Sequence, residues 1–324
     1  MKWPLRTGVF SPTTWQSNPF DYSKALDMTH IEAVPLPRLR IFKSIFNIAL
    51  VENFSRLLAA FPALETLKFE SLSTHPVQDD VNILQRDFGT MLCNVSACLT
   101  TLSLRHVWID AGCVEDVLFP NLNTLILDEC GHGAFSVAVS LTRSTASLQH
   151  LHIICRHDFT PSVVLLSDLP RAQLLSLHMN LDSSNLDGMY AVTQDMLKNG
   201  VFEKLRCARF ITAPRITVAR TENLCGLCGV VMPELQTLQL CDSLSHPSSS
   251  IYDSNHIEGF SKLMAPSLRH LILMSKCVPN IQDSLEEVRR KLALNSEVPD
   301  DVVVRSCDYL PDWMPSCLLS TLSY

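Results

Sequence analysis

A short leucine pattern recurs along most of this chain and constrains its fold more than any other feature. In its full form the pattern has a leucine, two further residues, a second leucine, one residue and a third apolar residue. Eight copies, separated by 23 to 35 residues, begin at Leu64, Leu99, Leu122, Leu148, Leu174, Leu205, Leu235 and Leu268. A poorer copy is suggested at Leu39, and leucine makes up 49 of the 324 residues. Units this short cannot bury their apolar side chains singly, so the pattern predicts that they stack.

Each copy alternates apolar and polar residues, which is the period of a half-buried β-strand. The predicted strands are 66–70, 101–105, 124–128, 150–154, 176–180, 207–211, 237–241 and 270–274. The side chains expected to be buried are Leu67, Leu102, Leu125, Leu151, Leu177, Leu238 and Leu271. The pattern therefore predicts parallel strands that return to one sheet after each repeat.

Segments of helical period lie between these strands, and the clearest runs from Val77 to Val95. Further helices are expected from Ile45 to Phe61 and near residues 186–197 and 257–264. Proline often stands just before the first leucine, as at Pro62, and it cannot continue a preceding helix. The sequence thus predicts an α/β fold in which each helix ends before the next strand begins.

These residues resemble the leucine-rich repeat family in its helix-containing, intracellular form. The resemblance covers residues 60–278 and implies a solenoid, or horseshoe, with parallel strands on the concave face and helices on the convex face. The family places asparagine or cysteine three residues after the last leucine of the strand, and here only Cys130 fits. The resemblance therefore implies a less regular solenoid, most similar to the repeats of fungal and plant F-box proteins.

Three regions are predicted along the chain. Residues 1–60 form an N-terminal cap region with an irregular segment and a helix, and residues 61–278 form the leucine-rich repeat solenoid. Residues 279–324 form a C-terminal helix–strand cap, with its strand at Val302–Val304, followed by a tail. No F-box pattern is seen near the N-terminus, where Leu36–Leu39 is a poor substitute. The resemblance still keeps open an alternative function, substrate recognition in a cullin–RING (F-box type) ubiquitin ligase, with the ligase adaptor as a partner.

Charge, hydropathy and cysteine usage exclude several classes of partner. The net charge of −7 argues against nucleic acid as the main partner. No stretch approaches the roughly 18 apolar residues of a membrane span, and no signal peptide opens the chain. We therefore expect a cytoplasmic or nuclear protein without a membrane partner, whose 12 cysteines are reduced thiols.

No motif assembles a catalytic site, so the sequence predicts a protein that is not an enzyme and holds no cofactor or metal. Cys225 and Cys228 form the only CxxC pair, and a structural zinc site requires four ligands. Two free thiols on a repeat helix are the preferred interpretation of this pair, and a zinc or redox role is the alternative.

His150, His152 and His178 are expected to be exposed histidines on neighbouring strands, and the alternative is that the three bind a metal. An enzyme with an unrecognised site is the second alternative function.

The function that these features favour is a non-catalytic protein–protein interaction module with its partner on the concave sheet. Strand residues between the buried positions are expected to face outward there. The candidate binding residues are Lys68, Arg105, His150, His152, His178, Arg209 and Gln239. Their centre is mildly cationic, and protonation of histidine near pH 6 is expected to strengthen it. We expect a protein partner with an acidic or phosphorylated segment, held mainly by Arg209; solvated strand positions are the alternative.

Overall fold

One β-sheet runs through the part of the chain that the structure describes. The structure is a computed structural model. It describes residues 37–46, 51–71, 81–107, 109, 111–128, 130, 134–143, 145–154, 174–181, 203–212, 231–242, 259–274 and 281–306. All of these residues belong to the unit formed by residues 35–324.

Ten parallel strands form this sheet, and their order in the sheet is their order in the chain. They are β1 (Ile41–Phe46), β2 (Thr66–Ser71), β3 (Thr101–Arg105), β4 (Thr124–Asp128), β5 (His150–Ile154), β6 (Ser176–Leu181), β7 (Cys207–Thr212), β8 (Thr237–Asp242), β9 (His270–Met274) and β10 (Val303–Ser306). The eight strands predicted from the leucine pattern are confirmed to within one residue at each end. The strand predicted at Val302–Val304 is confirmed as β10, and the poor copy at Leu39 leads into β1.

The described helices partly match the sequence prediction. They are α1 (Val51–Ala59), α2 (Val81–Cys93), α3 (Ala134–Thr142) and α4 (Ile281–Ala293), with 3-10 turns at Ala111–Cys113 and Phe260–Lys262. The prediction of a helix starting at Ile45 is wrong, because Ile45 alternates with buried Phe46 in β1. The helix expected near residues 186–197 lies outside the described residues. No described helix is long and apolar enough to cross a membrane.

The apolar strand residues share one face of the sheet, which we call the leucine face. Its members are Leu67 and Phe69 of β2 and the residues in register with them. The seven leucines predicted to be buried are all at most 1% exposed. Helices cover this face, because the ring of Phe46 lies 5.5 Å from that of Phe54 in α1 and 5.4 Å from that of Phe88 in α2. The core at this end therefore lies between the leucine face and the helices.

A repeated hydrogen-bond pattern at the start of the strands sets their register. The carbonyl of the residue before a strand accepts the amides of two consecutive residues of the next repeat. The carbonyl of Gln236, for example, accepts from the amides of Arg269 at 2.9 Å and His270 at 3.0 Å. The same pair of bonds is found at the carbonyls of Arg40, Glu65, Thr100, Asn123, Gln149, Leu175 and Arg206. Pairing two amides with one carbonyl leaves little freedom for a slip of register.

Tight turns explain why proline stands before the first leucine of several repeats. The amide of Leu64 donates to the carbonyl of Phe61 at 3.1 Å and so encloses Pro62. The same bond closes turns before Leu122, Leu235 and Leu268. Proline is favoured at the second position of such a turn because its ring presets φ. The turn directs the leucine that follows into the core, where Leu64 is fully buried.

The described cysteines behave as small core or surface residues. Cys130, the one residue that fits the family's asparagine or cysteine position, is buried, and its thiol lies 3.2 Å from the carbonyl oxygen of Leu104 in the preceding repeat. Within the described part of the chain, no disulfide joins Cys93, Cys98, Cys113, Cys130 or Cys207. Cys225 and Cys228 lie outside the described residues, so their role stays a prediction.

Candidate functional site

The face of the sheet opposite the leucine face, which we call the polar face, carries the candidate binding residues. Its first row is Ile41, Thr66, Thr101, Thr124, His150, Ser176, Cys207, Thr237, His270 and Val303. Its second row is Lys43, Lys68, Ser103, Ile126, His152, His178, Arg209, Gln239, Ile272 and Arg305. Its third row, as far as the structure describes the side chains, is Ile45, Glu70, Arg105, Asp128 and Ile154. The register thus brings all seven predicted binding residues onto one face.

The charge of the polar face is opposite to that of the whole chain. Its basic residues are Lys43, Lys68, Arg105, Arg209 and Arg305, and its acidic residues are Glu70 and Asp128. The chain as a whole carries a net charge of −7. The polar face thus carries five basic and two acidic residues, an excess of three positive charges, on a chain that is acidic overall.

Three side-chain pairs bridge neighbouring strands at the middle of the polar face, and we call them the central cluster. The Nδ1 atoms of His152 and His178 lie 3.0 Å apart. Nδ1 of His150 lies 2.9 Å from Oγ of Ser176. Nε of Arg209 donates to Oε1 of Gln239 at 2.6 Å. The polar groups of this cluster thus bind one another across the strands.

The expectation that the centre of the face is exposed is wrong for His178 and Arg209, each of which is only 2% exposed. Adjacent strands lie about 4.8 Å apart, so long side chains in one row pack against each other. A guanidinium removed from water needs hydrogen-bond acceptors, and Gln239 supplies one of them. The predicted binding role of Arg209 therefore has to be weighed against this internal one.

Burial also changes the titration of the histidines. Burial lowers the pKa of His152 to about 4, although Asp128 acts in the opposite direction. Burial, together with the nearby His152 and Arg209, lowers the pKa of His178. Burial lowers the pKa of His150 as well. The expectation that these histidines gain charge near pH 6 is therefore wrong, because a charged imidazole loses its hydration in this cluster.

The neutral His152–His178 pair holds a single proton between its two Nδ1 atoms. One Nδ1 must carry the hydrogen and the other must accept it, so the two rings adopt opposite tautomers. If both rings were protonated, two N–H groups would face each other across 3.0 Å. The pair is therefore stable only while at least one ring stays neutral.

A second group, which we call the basic cluster, lies on β1–β3 and consists of Lys43, Lys68 and Arg105. Lys43 and Lys68 are direct neighbours in register, and neither forms an ion pair or a side-chain hydrogen bond in the described part of the chain. Burial, and then the charges of Lys43 and Arg105, lower the pKa of Lys68. Arg105 is half-exposed, and its Nε lies 2.9 Å from Oδ2 of Asp128. Two unneutralised ammonium groups thus repel each other at the start of the sheet.

Lys43 was not among the residues selected from the sequence. Its strand, β1, has Phe42 and Ser44 in register with Leu67 and Phe69, so the leucine pattern is almost lost there. One sequence signal could have identified this strand. Ile41, Lys43 and Ile45 stand at every second position, which is the period of a β-strand. Phe42 in place of the second leucine hid this repeat.

The three histidines do not converge on one point. Among the described residues, no group of three or more histidine, cysteine, aspartate or glutamate side chains is placed to hold a metal ion. His150 bonds to Ser176 in the first row, whereas His152 and His178 bond to each other in the second. The arrangement of the described side chains therefore gives no support to the alternative of a three-histidine metal site.

Comparison with known proteins adds no family to these observations. Neither the models of known protein families nor the curated proteins match this chain. The charge and register of the polar face are therefore the features that bear on function.

Proposed function

We propose that this chain is a non-catalytic protein–protein interaction module of the leucine-rich repeat type, in which the repeats form a solenoid and the polar face binds a partner. Ten parallel strands in chain order support the solenoid. The observation that carries the function is the excess of five basic over two acidic residues on the polar face of a chain with net charge −7. A partner with an acidic or phosphorylated segment complements that charge.

The basic cluster is the part of the polar face that we assign to the partner. Lys43 is exposed and Lys68 is half-buried, so both ammonium groups are within reach of a ligand. Arg209, which the sequence selected as the main contact, is buried and bonded to Gln239. We therefore assign to Arg209 an internal role and to Lys43 and Lys68 the contact with the acidic segment.

An anion among these side chains would relieve an unfavourable interaction. The charges of Lys43 and Arg105 contribute to the lowered pKa of Lys68. A phosphate or carboxylate placed near all three favours the charged form of Lys68, so its pKa rises on binding. Binding therefore stabilises the cluster as well as the complex.

Apolar side chains next to the cluster indicate further chemistry of the partner. Ile41 is 42% exposed and Ile45 is 49% exposed, and both lie in β1 on the same face as Lys43. Exposed isoleucine beside basic residues suits a segment in which acidic and apolar residues alternate. We therefore assign the site to an extended acidic segment with apolar side chains at alternate positions.

Affinity purification followed by mass spectrometry tests the proposal when it is run with matched variants. Lys43→Met/Lys68→Met removes two charges and keeps two side chains of similar length, while Arg305→Met removes one charge at the other end of the second row. A partner is expected to be lost with the double variant, kept with Arg305→Met, and displaced by a synthetic peptide in which phosphoserine alternates with valine.

The opposite result has a clear form. If the double variant keeps its melting temperature and captures the same proteins as the wild type, the basic cluster is not the site. Recovery of a cullin–RING ligase adaptor would favour the alternative function of a substrate-recognition subunit. In that case the acidic substrate, and not the adaptor, is expected to depend on Lys43 and Lys68.

A further inference from the structure

A second candidate site is a cleft at the other end of the sheet, where β8, β9 and β10 begin. The cleft has a volume of about 570 Å³. Its polar lining consists of Gln236, Ser267, Arg269, His270 and Asp301, and Pro299 and Val303 contribute an apolar wall. This volume falls within the range of pockets that hold small ligands.

Arg269 differs from the two other arginines that occupy the same place in a repeat. Arg40, Arg206 and Arg269 each stand immediately before a strand. Arg40 pairs with Glu65 at 3.0 Å, and Arg206 pairs with Glu234 at 3.5 Å. In the described part of the chain Arg269 forms no ion pair, and it is one of the residues that line the cleft. Arg40 and Arg206 each pair with a glutamate of the following repeat, whereas the repeat that follows Arg269 supplies no such partner among its described residues. The charge of Arg269 is therefore available to a ligand.

Asp301 supplies a second charge of the opposite sign. It lines the same cleft and, among the described residues, it too forms no ion pair. Glu234, which neutralises Arg206, precedes the next strand by three residues, and Asp301 precedes β10 by two. Arg269 and Asp301 therefore line one space without neutralising each other.

The regular spacing of the repeats ends at this point, which explains why a cleft forms here. In eight earlier steps the carbonyl before a strand accepts two amides from the next repeat. The carbonyl of Arg269 accepts the amide of Val303 at 2.9 Å, and no second amide bonds to it among the described residues. Because Val303 pairs with His270, Asp301 stands in this repeat where the fully buried Leu268 stands in the repeat before it. The last repeat thus meets the sheet differently and leaves room beside Arg269.

We propose that this cleft binds a zwitterionic, peptide-like ligand, whose carboxylate is held by Arg269 and whose ammonium group is held by Asp301. The planar guanidinium offers two parallel donors to a carboxylate. Gln236 and Ser267 add side chains that can hydrogen-bond to a peptide group, and Pro299 and Val303 contact small apolar side chains. The ligand class is a free amino acid or a short peptide with both ends uncapped.

Titration calorimetry with the full chain tests this assignment with three matched probes. These are tri-alanine with free ends, its C-terminally amidated form and its N-acetylated form, with free alanine as a fourth probe for the amino-acid source. Tri-alanine is expected to bind, and amidation should weaken binding at least about tenfold because it removes the partner of Arg269. Acetylation should weaken it by a smaller factor, since it removes the partner of Asp301.

Variants separate the two contacts. Arg269→Ala and Arg269→Lys are both expected to weaken tri-alanine binding, since lysine keeps the charge but loses the paired donors. Arg206→Ala, the matched arginine outside the cleft lining, should leave it unchanged. Asp301→Asn should weaken tri-alanine but not the acetylated probe.

Three outcomes would overturn the assignment. They are no binding by tri-alanine or alanine, equal binding of the free and amidated peptides, and an effect of Arg206→Ala as large as that of Arg269→Ala. Stronger binding of alanine than of tri-alanine would identify the amino acid as the source, and the reverse order would identify a peptide. Thermal unfolding of each variant excludes loss of fold as the cause.

Discussion

The basic cluster on β1–β3 and the central cluster on β5–β8 occupy equivalent rows of one sheet but differ in how their polar groups are satisfied. At the centre, His152 bonds to His178 and Arg209 bonds to Gln239, and burial keeps the histidines neutral. At the start of the sheet, Lys43 stands beside Lys68 with the same charge. Identical backbone positions thus produce an internal polar network in one region and an available charged surface in the other.

The difference shows that register alone does not make a binding site. A row of a parallel sheet places side chains of successive repeats next to one another whatever their chemistry. Where neighbours are a donor and an acceptor, as Arg209 and Gln239 are, they bind each other. Where neighbours carry like charges, as Lys43 and Lys68 do, they cannot bind each other and their charges repel.

Substitution of a core leucine should give the largest effect and should affect both regions alike. Leu102 in β3 and Leu238 in β8 are both fully buried on the leucine face. Replacement of either by alanine is expected to lower the free energy of unfolding by about 2–5 kcal/mol. Urea titration measures this loss. A clear loss for Leu102→Ala without one for Leu238→Ala would show that the two regions do not share one packed face.

Acidification should destabilise the central cluster selectively. The pKa of His152 is about 4 in the folded chain against 6.5 as its ordinary value. Because the unfolded chain binds the proton more readily, this contribution is complete above pH 6.5 and is lost as the pH falls towards 4. The loss is about 1.4 kcal/mol per pH unit for each histidine, and the lowered pKa of His178 acts in the same direction.

Urea midpoints between pH 7.5 and pH 4 measure this effect. The double variant His152→Gln/His178→Gln keeps polar side chains but removes both titrating groups, so its stability should depend less steeply on pH. Ser103→Ala, which changes a residue of the same row without a titrating group, is the control, and its pH dependence should match that of the wild type. Equal slopes for the wild type and the double variant would contradict the inferred burial of the pair.

Loss of the acceptor for Arg209 should give an intermediate effect. Gln239→Leu removes the oxygen that accepts the Arg209 Nε hydrogen, while the guanidinium stays buried. The expected loss in the free energy of unfolding is about 1–3 kcal/mol. Lys68→Met in the same row is the control, and chemical denaturation of both variants makes the comparison. A smaller loss for Gln239→Leu than for Lys68→Met would place the internal network elsewhere.

Removal of charge from the basic cluster should have the smallest effect on stability. Lys43→Met/Lys68→Met is expected to change the free energy of unfolding by no more than about 0.5 kcal/mol, with added salt making the wild type and the variant more alike. Thermal unfolding at low and high ionic strength measures this. A large destabilisation would show that the two lysines are structural and would remove the contrast between the clusters.

The strands were predictable because their signals are local. Each leucine pattern follows a turn, several of these turns contain proline, and both signals occur within about ten residues of the strand that they predict. The exception is β1, where Phe42 replaces the second leucine and Ser44 the third apolar residue. The sequence pattern consequently favours a helix at Ile45 and does not indicate that Lys43 lies on the polar face.

The candidate site was less predictable because exposure is not a local property. The sequence correctly placed His152, His178 and Arg209 in one row of the sheet. It did not indicate that His178 and Arg209 are 2% exposed, nor that Lys43 and Lys68 are the basic pair without a counter-ion. These properties depend on side chains from other repeats. Lys43 and Lys68 are 25 residues apart in the chain, and the two partners of each hydrogen-bonded pair in the central cluster are 26 or 30 residues apart.

The leucine pattern is enough to predict where the strands lie, which leucines are buried and which residues share a face, since alternation along a strand follows from backbone geometry alone. The contacts between repeats are needed to see which polar residues form an internal network, which stay exposed, and where the last repeat leaves a cleft lined by Arg269. The reason is that neighbouring strands lie about 4.8 Å apart, so each side chain contacts the side chains of the adjoining repeat. Those neighbours determine whether a polar group is buried and whether it finds a hydrogen-bond partner.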